Sequence, residues 1–162
     1  MPIKIPNDLP AFERWFCDRE IAAVLGLMRN PDVRLVTLTG AGGTGKTRLS
    51  LQVAADLLDE FEHGVWFVEL ASITDPELVL PTIASTLKVK ESAGTTIEQS
   101  LQDYLHKKQL LLVVDNFEQV VSAAPKIVPL LNAAPKIKIM VSSREVLRLR
   151  GPFVHEVITH RG

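Results

Sequence analysis

The sequence predicts an α/β domain with three layers, helices on both faces of a five-stranded and mostly parallel sheet. Three observations carry this. Short β-branched or aliphatic runs alternate with amphipathic helical runs along nearly the whole chain, the pattern of a doubly wound sheet. The stretch Gly40-Ala41-Gly42-Gly43-Thr44-Gly45-Lys46-Thr47 fits G-x-x-x-x-G-K-[ST] at every position. It sits between a strand pattern and a helix pattern, the context that a phosphate-binding loop requires. The run from Leu110 to Val114 is wholly apolar and ends in Asp115, as a strand buried on both faces does.

The elements follow in order. Pro2, Pro6 and Pro10 block helix in an extended lead-in. Phe12, Trp15 and Phe16 form an aromatic patch, and Ile21, Val24, Leu25 and Met28 then recur at helical spacing behind a candidate cap, Asp18. Val33–Thr39 is the first strand, and Lys46–Glu60 is a helix burying Leu49, Val53, Ala54, Leu57 and Leu58. Gly64 is a turn residue before a second, parallel strand over Val65–Leu70. Asp75-Pro76-Glu77 starts a helix that runs to about Leu87 and buries Leu78, Val79, Ile83 and Leu87. Thr95 and Glu98 read as a capping box for the next helix, which turns Ile97, Leu101, Tyr104 and Leu105 to one face. After the Leu110–Val114 strand, a helix over Val120–Asn132 is broken near Pro125 and Pro129. Ile137–Val141 is the fourth strand, Glu145–Arg150 a short helix, Gly151-Pro152 a turn and Phe153–Ile158 the fifth strand.

The bulk numbers narrow the function classes. A chain of 162 residues with 46% hydrophobic and 23% charged content suits one soluble domain. A net charge of −1 gives no electrostatic case for nucleic-acid or membrane binding. The single cysteine, Cys17, excludes an internal disulfide and fits a reducing cytoplasm. His63, His106, His155 and His160 are scattered, without metal-ligand spacing.

Ligands in open parallel sheets bind beyond the carboxyl ends of the strands. Four groups fall there: Gly40–Thr47, Ala71-Ser72, Asp115-Asn116 and Ser142–Arg144. In the loop, glycines let backbone N–H groups close round phosphate oxygens. Lys46 is the point charge for the β- and γ-phosphates, and the Thr47 hydroxyl a Mg²⁺ ligand. Asp115 is the expected second metal ligand. Asn116 can orient water but cannot deprotonate it. Glu118 reads either as the base or as a solvated loop acid, and Arg144 either as a γ-phosphate sensor or as a surface arginine near Arg148 and Arg150.

Taken together, several runs resemble the nucleotide-binding domain of STAND ATPases, P-loop NTPases related to NB-ARC and NACHT proteins. They are Phe16-Cys-Asp-Arg-Glu20, Leu35 through the loop to Arg48, Gly64-Val-Trp-Phe-Val-Glu-Leu70, Leu111-Leu-Val-Val-Asp-Asn-Phe-Glu118, Val141-Ser-Ser-Arg-Glu145 and Leu147-Arg-Leu-Arg-Gly151. The bacterial regulator branch, of AfsR-like and LuxR-family type, is the most similar. The resemblance implies ATP/ADP and Mg²⁺ as cofactors, with Ala41, Gly42, Gly43, Thr44 and Arg48 counted with the loop. It implies adenine contacts from Phe16, Cys17 and Arg19, although Asp18 stands where the family usually has glycine. It implies that Arg144 is the sensor and Asp115 the Mg²⁺ aspartate, and that Asn116 belongs to a slow hydrolase. On this reading residues 1–15 are a lead-in, 16–158 the nucleotide-binding domain and 159–162 a tail. The family's winged-helix and sensor-repeat domains are expected outside the segment, and nucleotide-dependent homo-oligomers are an expected partner state.

The function expected is thus the ATP/ADP-binding core of a cytoplasmic signal-transduction switch, a weak ATPase at most in isolation. Two alternatives stand beside it: a small-molecule kinase or motor-type ATPase, and a non-catalytic interaction module.

Overall fold

The computed structural model describes residues 18–40, 45–145, 147–149 and 153–158. The expectations on Phe12, Trp15, Phe16, Cys17, Ala41–Thr44 and Gly151-Pro152, and on the side chains of Asp18 and Arg19, lie outside the described residues.

The strands are β1 (Leu35–Thr39), β2 (Val65–Glu69), β3 (Leu111–Asp115), β4 (Lys138–Ser143) and β5 (Val154–Ile158). All pairings are parallel, in the order β2-β3-β4-β1-β5. The sheet is therefore fully parallel, where a mostly parallel one was expected. The sequence explains the order. Strands β1 and β3 are buried at every position, and β4 at all but its first; such apolar runs belong in the middle of a covered sheet. The flanking strands β2 and β5 are less covered: β2 has half-buried and exposed positions beside its two buried ones, and β5 has no buried position.

The helices are α1 (Asp18–Arg29), α2 (Lys46–Leu57), α3 (Val79–Leu87), α4 (Ile97–Leu105) and α5 (Val128–Ala133). One core lies under α1 and α2, where Val24, Met28, Leu49 and Val53 meet Val36, Leu38, Leu111, Val113 and Met140. The other face buries Ile83, Leu87, Leu101, Leu105, Phe117 and Leu130 against Leu35, Leu112, Val114, Ile139 and Val141. Successive strand residues point to opposite faces, so one strand serves both cores.

Five local expectations are corrected. Helix α2 ends at Leu57, and Leu58–Glu60 tightens into a 3₁₀ turn. A 3₁₀ turn over Pro76–Leu78 precedes α3, with Asp75 accepting from the Glu77 N–H. Three residues per turn rotate the stripe, so Leu78 is 46% exposed and Leu80 is buried instead. The cap of α4 is Thr96, in extended backbone, accepting from the Gln99 N–H at 3.1 Å; Thr95 turns back to the Ser92 carbonyl. The Phe117–Lys126 segment is 3₁₀ and broken at Val120, which is non-helical. Residues 147–149 form no helix.

The amino-end edge of the sheet is closed by two cations. Arg34 donates to the carbonyls of Leu131, Ala134 and Ile137 around the end of α5. Lys138 donates to those of Met28 and Asn30 at the end of α1. Both meet helix C-termini, where orphan carbonyls and the dipole favour positive charge. The carboxyl edge is left for the site.

Candidate functional site

At the carboxyl edge, Gly45 adopts a left-handed backbone (φ 83°) and opens α2 with no side-chain cap. A Cβ is disfavoured there, and the positive end of the α2 dipole faces this edge, where it favours an anion. Lys46 Nζ donates to the Gly40 carbonyl at 2.7 Å, which ties the head of α2 to the residue that follows β1.

Thr47, the second residue of α2, has its hydroxyl 2.9 and 3.1 Å from the two oxygens of Asp115. Asp115, the last residue of β3, is 1% exposed. Ser142 of β4 donates to Asp115 Oδ1, and Asn116 Nδ2 to Oδ2 at 3.1 Å. Burial pushes the Asp115 carboxyl above its ordinary range; bonds from Ser142 and Thr47 pull it down, and Glu69 and Glu118 push it up. Burial likewise lowers the Lys46 ammonium, opposed by Glu118, reinforced by Arg144 and opposed again by Asp115.

Asn116 turns the chain out of β3 through a left-handed conformation (φ 65°), which asparagine tolerates better than most residues. Glu118 follows, and its Oε1 accepts the Arg144 N–H at 3.1 Å, tying the loop after β3 to the end of β4. A cleft of ≈ 290 Å³ is lined by Gly45, Lys46, Thr47, Arg48, Asn116, Glu118 and Arg144. Residues far apart in sequence are thus brought together, including Glu118 and Arg144. Ala71 and Ser72 are exposed and do not line the cleft.

Glu69 was not among the residues expected at this edge, and Ser142 was expected there within Ser142–Arg144 but with no role of its own. Ser142 holds the Asp115 carboxylate and accepts the Asn116 N–H at 3.1 Å. Glu69, ending β2, accepts from Asn116 Nδ2 at 2.9 Å. Their one signal was position: each lies at a strand's carboxyl end.

The donor set suits Mg²⁺. Thr47 and Asp115 offer hard oxygen ligands side by side, and no group of three or more His, Cys, Asp or Glu that could hold a metal occurs among the described residues. Magnesium is bound by one or two carboxylates and takes other ligands from phosphates and water.

The fold and this edge define an ATPase-like nucleotide-binding domain. The sheet matches that of the Aeropyrum pernix ORC1 protein, solved in complex with DNA, at a TM-score of 0.66 and 16% identity, over 96% of this chain and 47% of that one. The NB-ARC domain model matches residues 18–147, and the chain belongs to the NB-ARC family. A putative HTH-type transcriptional regulator of Mycobacterium tuberculosis is 38% identical over 125 residues, which is 76% of this chain and 14% of the regulator. The regulatory protein AfsR of Streptomyces griseus is 28% identical over 152 residues, 88% of this chain and 15% of AfsR. The chain thus spans about one seventh of the length of these relatives. Among the described residues no helix is long and apolar enough to cross a membrane.

Proposed function

We propose that the chain is the ATP/ADP-binding core of a signal-transduction switch, Mg²⁺-dependent and slow in hydrolysis, within a larger cytoplasmic regulator. The observation that carries this is the Thr47–Asp115 pair, 2.9 Å apart at the head of α2, with Thr47 lining a cleft beside Lys46 and Arg144. In this reading Gly40–Gly45 cradle the phosphates with backbone N–H groups, Lys46 and Arg48 add positive charge, and Phe16, Cys17 and Arg19 hold the adenine. Residues 16–158 form the nucleotide-binding domain, between a lead-in at 1–15 and a tail at 159–162. Thr47 and Asp115 hold Mg²⁺, which neutralises phosphate charge when bound. Arg144, at the end of β4, distinguishes the triphosphate from the diphosphate.

The residues also support slowness. Asn116, beside the metal aspartate, has no basic atom to take a proton. Glu118 is the acid in the cleft, but its Oε1 is occupied by the Arg144 N–H and must release it to act as a base. A slow hydrolase serves as a timer: the bound nucleotide sets the state, and exchange or hydrolysis changes it. The regulators among its relatives support an output in transcription, delivered by other domains, with nucleotide-dependent self-association as a route.

The test is Lys46→Ala. Charge-assisted bonds to phosphate are worth roughly 1.5–3 kcal/mol, so affinity for Mg²⁺-ADP should fall on the order of tenfold to a hundredfold by calorimetry. Unchanged affinity would count against the assignment.

A further inference from the structure

Asn116 is gripped from three strands. Its N–H donates to Ser142 of β4 at 3.1 Å, and its Nδ2 to Asp115 of β3 at 3.1 Å and to Glu69 of β2 at 2.9 Å. Both partners of Nδ2 are carboxylates, which accept and do not donate. An amide has a donating end and an accepting end, and only the NH₂ end can satisfy two carboxylates. Turning the group over would set its carbonyl oxygen against two carboxylate oxygens.

Asp115 is shared with Thr47 and Ser142 as well. Glu69 is the independent acceptor, and it is itself fixed, because Oε1 also takes the Ala71 N–H at 2.8 Å. The Asn116 carbonyl oxygen lies on the other side of the trigonal amide, on a residue that lines the cleft.

We infer that Glu69 is a positioning residue: it locks the Asn116 amide so that Oδ1 is presented to the cleft as an acceptor for the O–H of the attacking water. The inference rests on the slow-hydrolase reading above. In that step the water oxygen forms a new P–O bond, and the bond to the bridging oxygen breaks towards the diphosphate. The water proton leaves with the inorganic phosphate. Asn116 takes no proton; it aims the nucleophile, which matters because small misplacements are costly in rate.

The test compares the wild-type chain with Glu69→Gln and Glu69→Asp. Glutamine can present either end of its own amide, so the Asn116 amide keeps only the shared Asp115 carboxylate as a fixed acceptor; aspartate keeps a second one. Three quantities are measured: Mg²⁺-ADP affinity by calorimetry, single-turnover ATP hydrolysis, and hydrogen exchange of the Asn116 side-chain amide by NMR. Glu69→Gln should leave affinity within about twofold and slow hydrolysis on the order of tenfold or more. Its Asn116 amide should lose protection, and Glu69→Asp should recover part of both. A purely structural role would lower melting temperature without separating rate from affinity. Wild-type hydrolysis or wild-type amide protection in Glu69→Gln overturns the inference, as does a wild-type chain that binds nucleotide and never turns it over. Failure of the wild-type chain to bind nucleotide overturns the hydrolase reading itself, and with it this role for Glu69.

Discussion

Asp115→Asn separates the cost of the site to the fold from its use. Asp115 is 1% exposed and is met by Thr47, Ser142 and Asn116. Asparagine keeps the volume, removes the charge and exchanges one acceptor for a donor. The Thr47 and Ser142 hydroxyls can rotate to accept, so the network re-forms, and stability without ligand should change by no more than about 1 kcal/mol. Binding of the Mg²⁺-nucleotide should weaken by roughly 1.5–3 kcal/mol, or about 10- to 150-fold. Thermal melts make this visible. At a ligand concentration of about 100 times Kd, the wild-type chain gains about 2.7 kcal/mol. At about 2–4 °C per kcal/mol for a domain of this size, that is a rise of about 5–10 °C. If Kd rises about a hundredfold, the same ligand gives the variant only about 0.4 kcal/mol, a rise of about 1–2 °C. The pH dependence has a definite sign. Burial raises the Asp115 carboxyl in the fold, so its contribution to ligand-free stability is fully present at acid pH. It is lost as pH climbs from the unfolded carboxyl value through the raised folded one. The variant should therefore gain on wild type as pH rises towards neutral. A full ligand-induced shift in Asp115→Asn, or its collapse without ligand, would refute the reasoning.

Three further outcomes follow from the same geometry. Arg144→Ala should weaken a non-hydrolysable ATP analogue roughly tenfold while sparing ADP, measured by competition calorimetry; equal losses for both would remove its sensing role. Thr96→Ala should cost about 1 kcal/mol in urea unfolding, because it deletes the α4 cap. Thr95→Ala should cost less, and the reverse order would restore the capping box expected from sequence. Leu112→Ala, in the middle of a strand buried throughout, should cost about 2–5 kcal/mol in the same assay.

The parts of the site readable from sequence are those whose chemistry is local. The Gly40–Thr47 spacing and the apolar run into Asp115 each state their purpose within a few residues. Their meeting at 2.9 Å follows because both lie at the carboxyl ends of parallel strands. Glu69 was not readable, and Ser142 was placed at the edge without its role, because both roles depend on lateral neighbours. Only the order β2-β3-β4 sets Glu69 and Ser142 on either side of Asp115 and Asn116. The smaller misses are conformational. Adjacent threonines compete for one cap, and the extended backbone of Thr96 decides it. Helical periodicity misplaced Leu78, because a 3₁₀ turn winds at a different period.

The most direct test is a calorimetric titration of the 162-residue chain with ADP and with a non-hydrolysable ATP analogue, with and without Mg²⁺, followed by a steady-state ATPase assay. The account predicts saturable binding of one adenine nucleotide per chain, tighter with Mg²⁺, and turnover well below one per second. No binding under any of these conditions, or several turnovers per second by the chain alone, would contradict it.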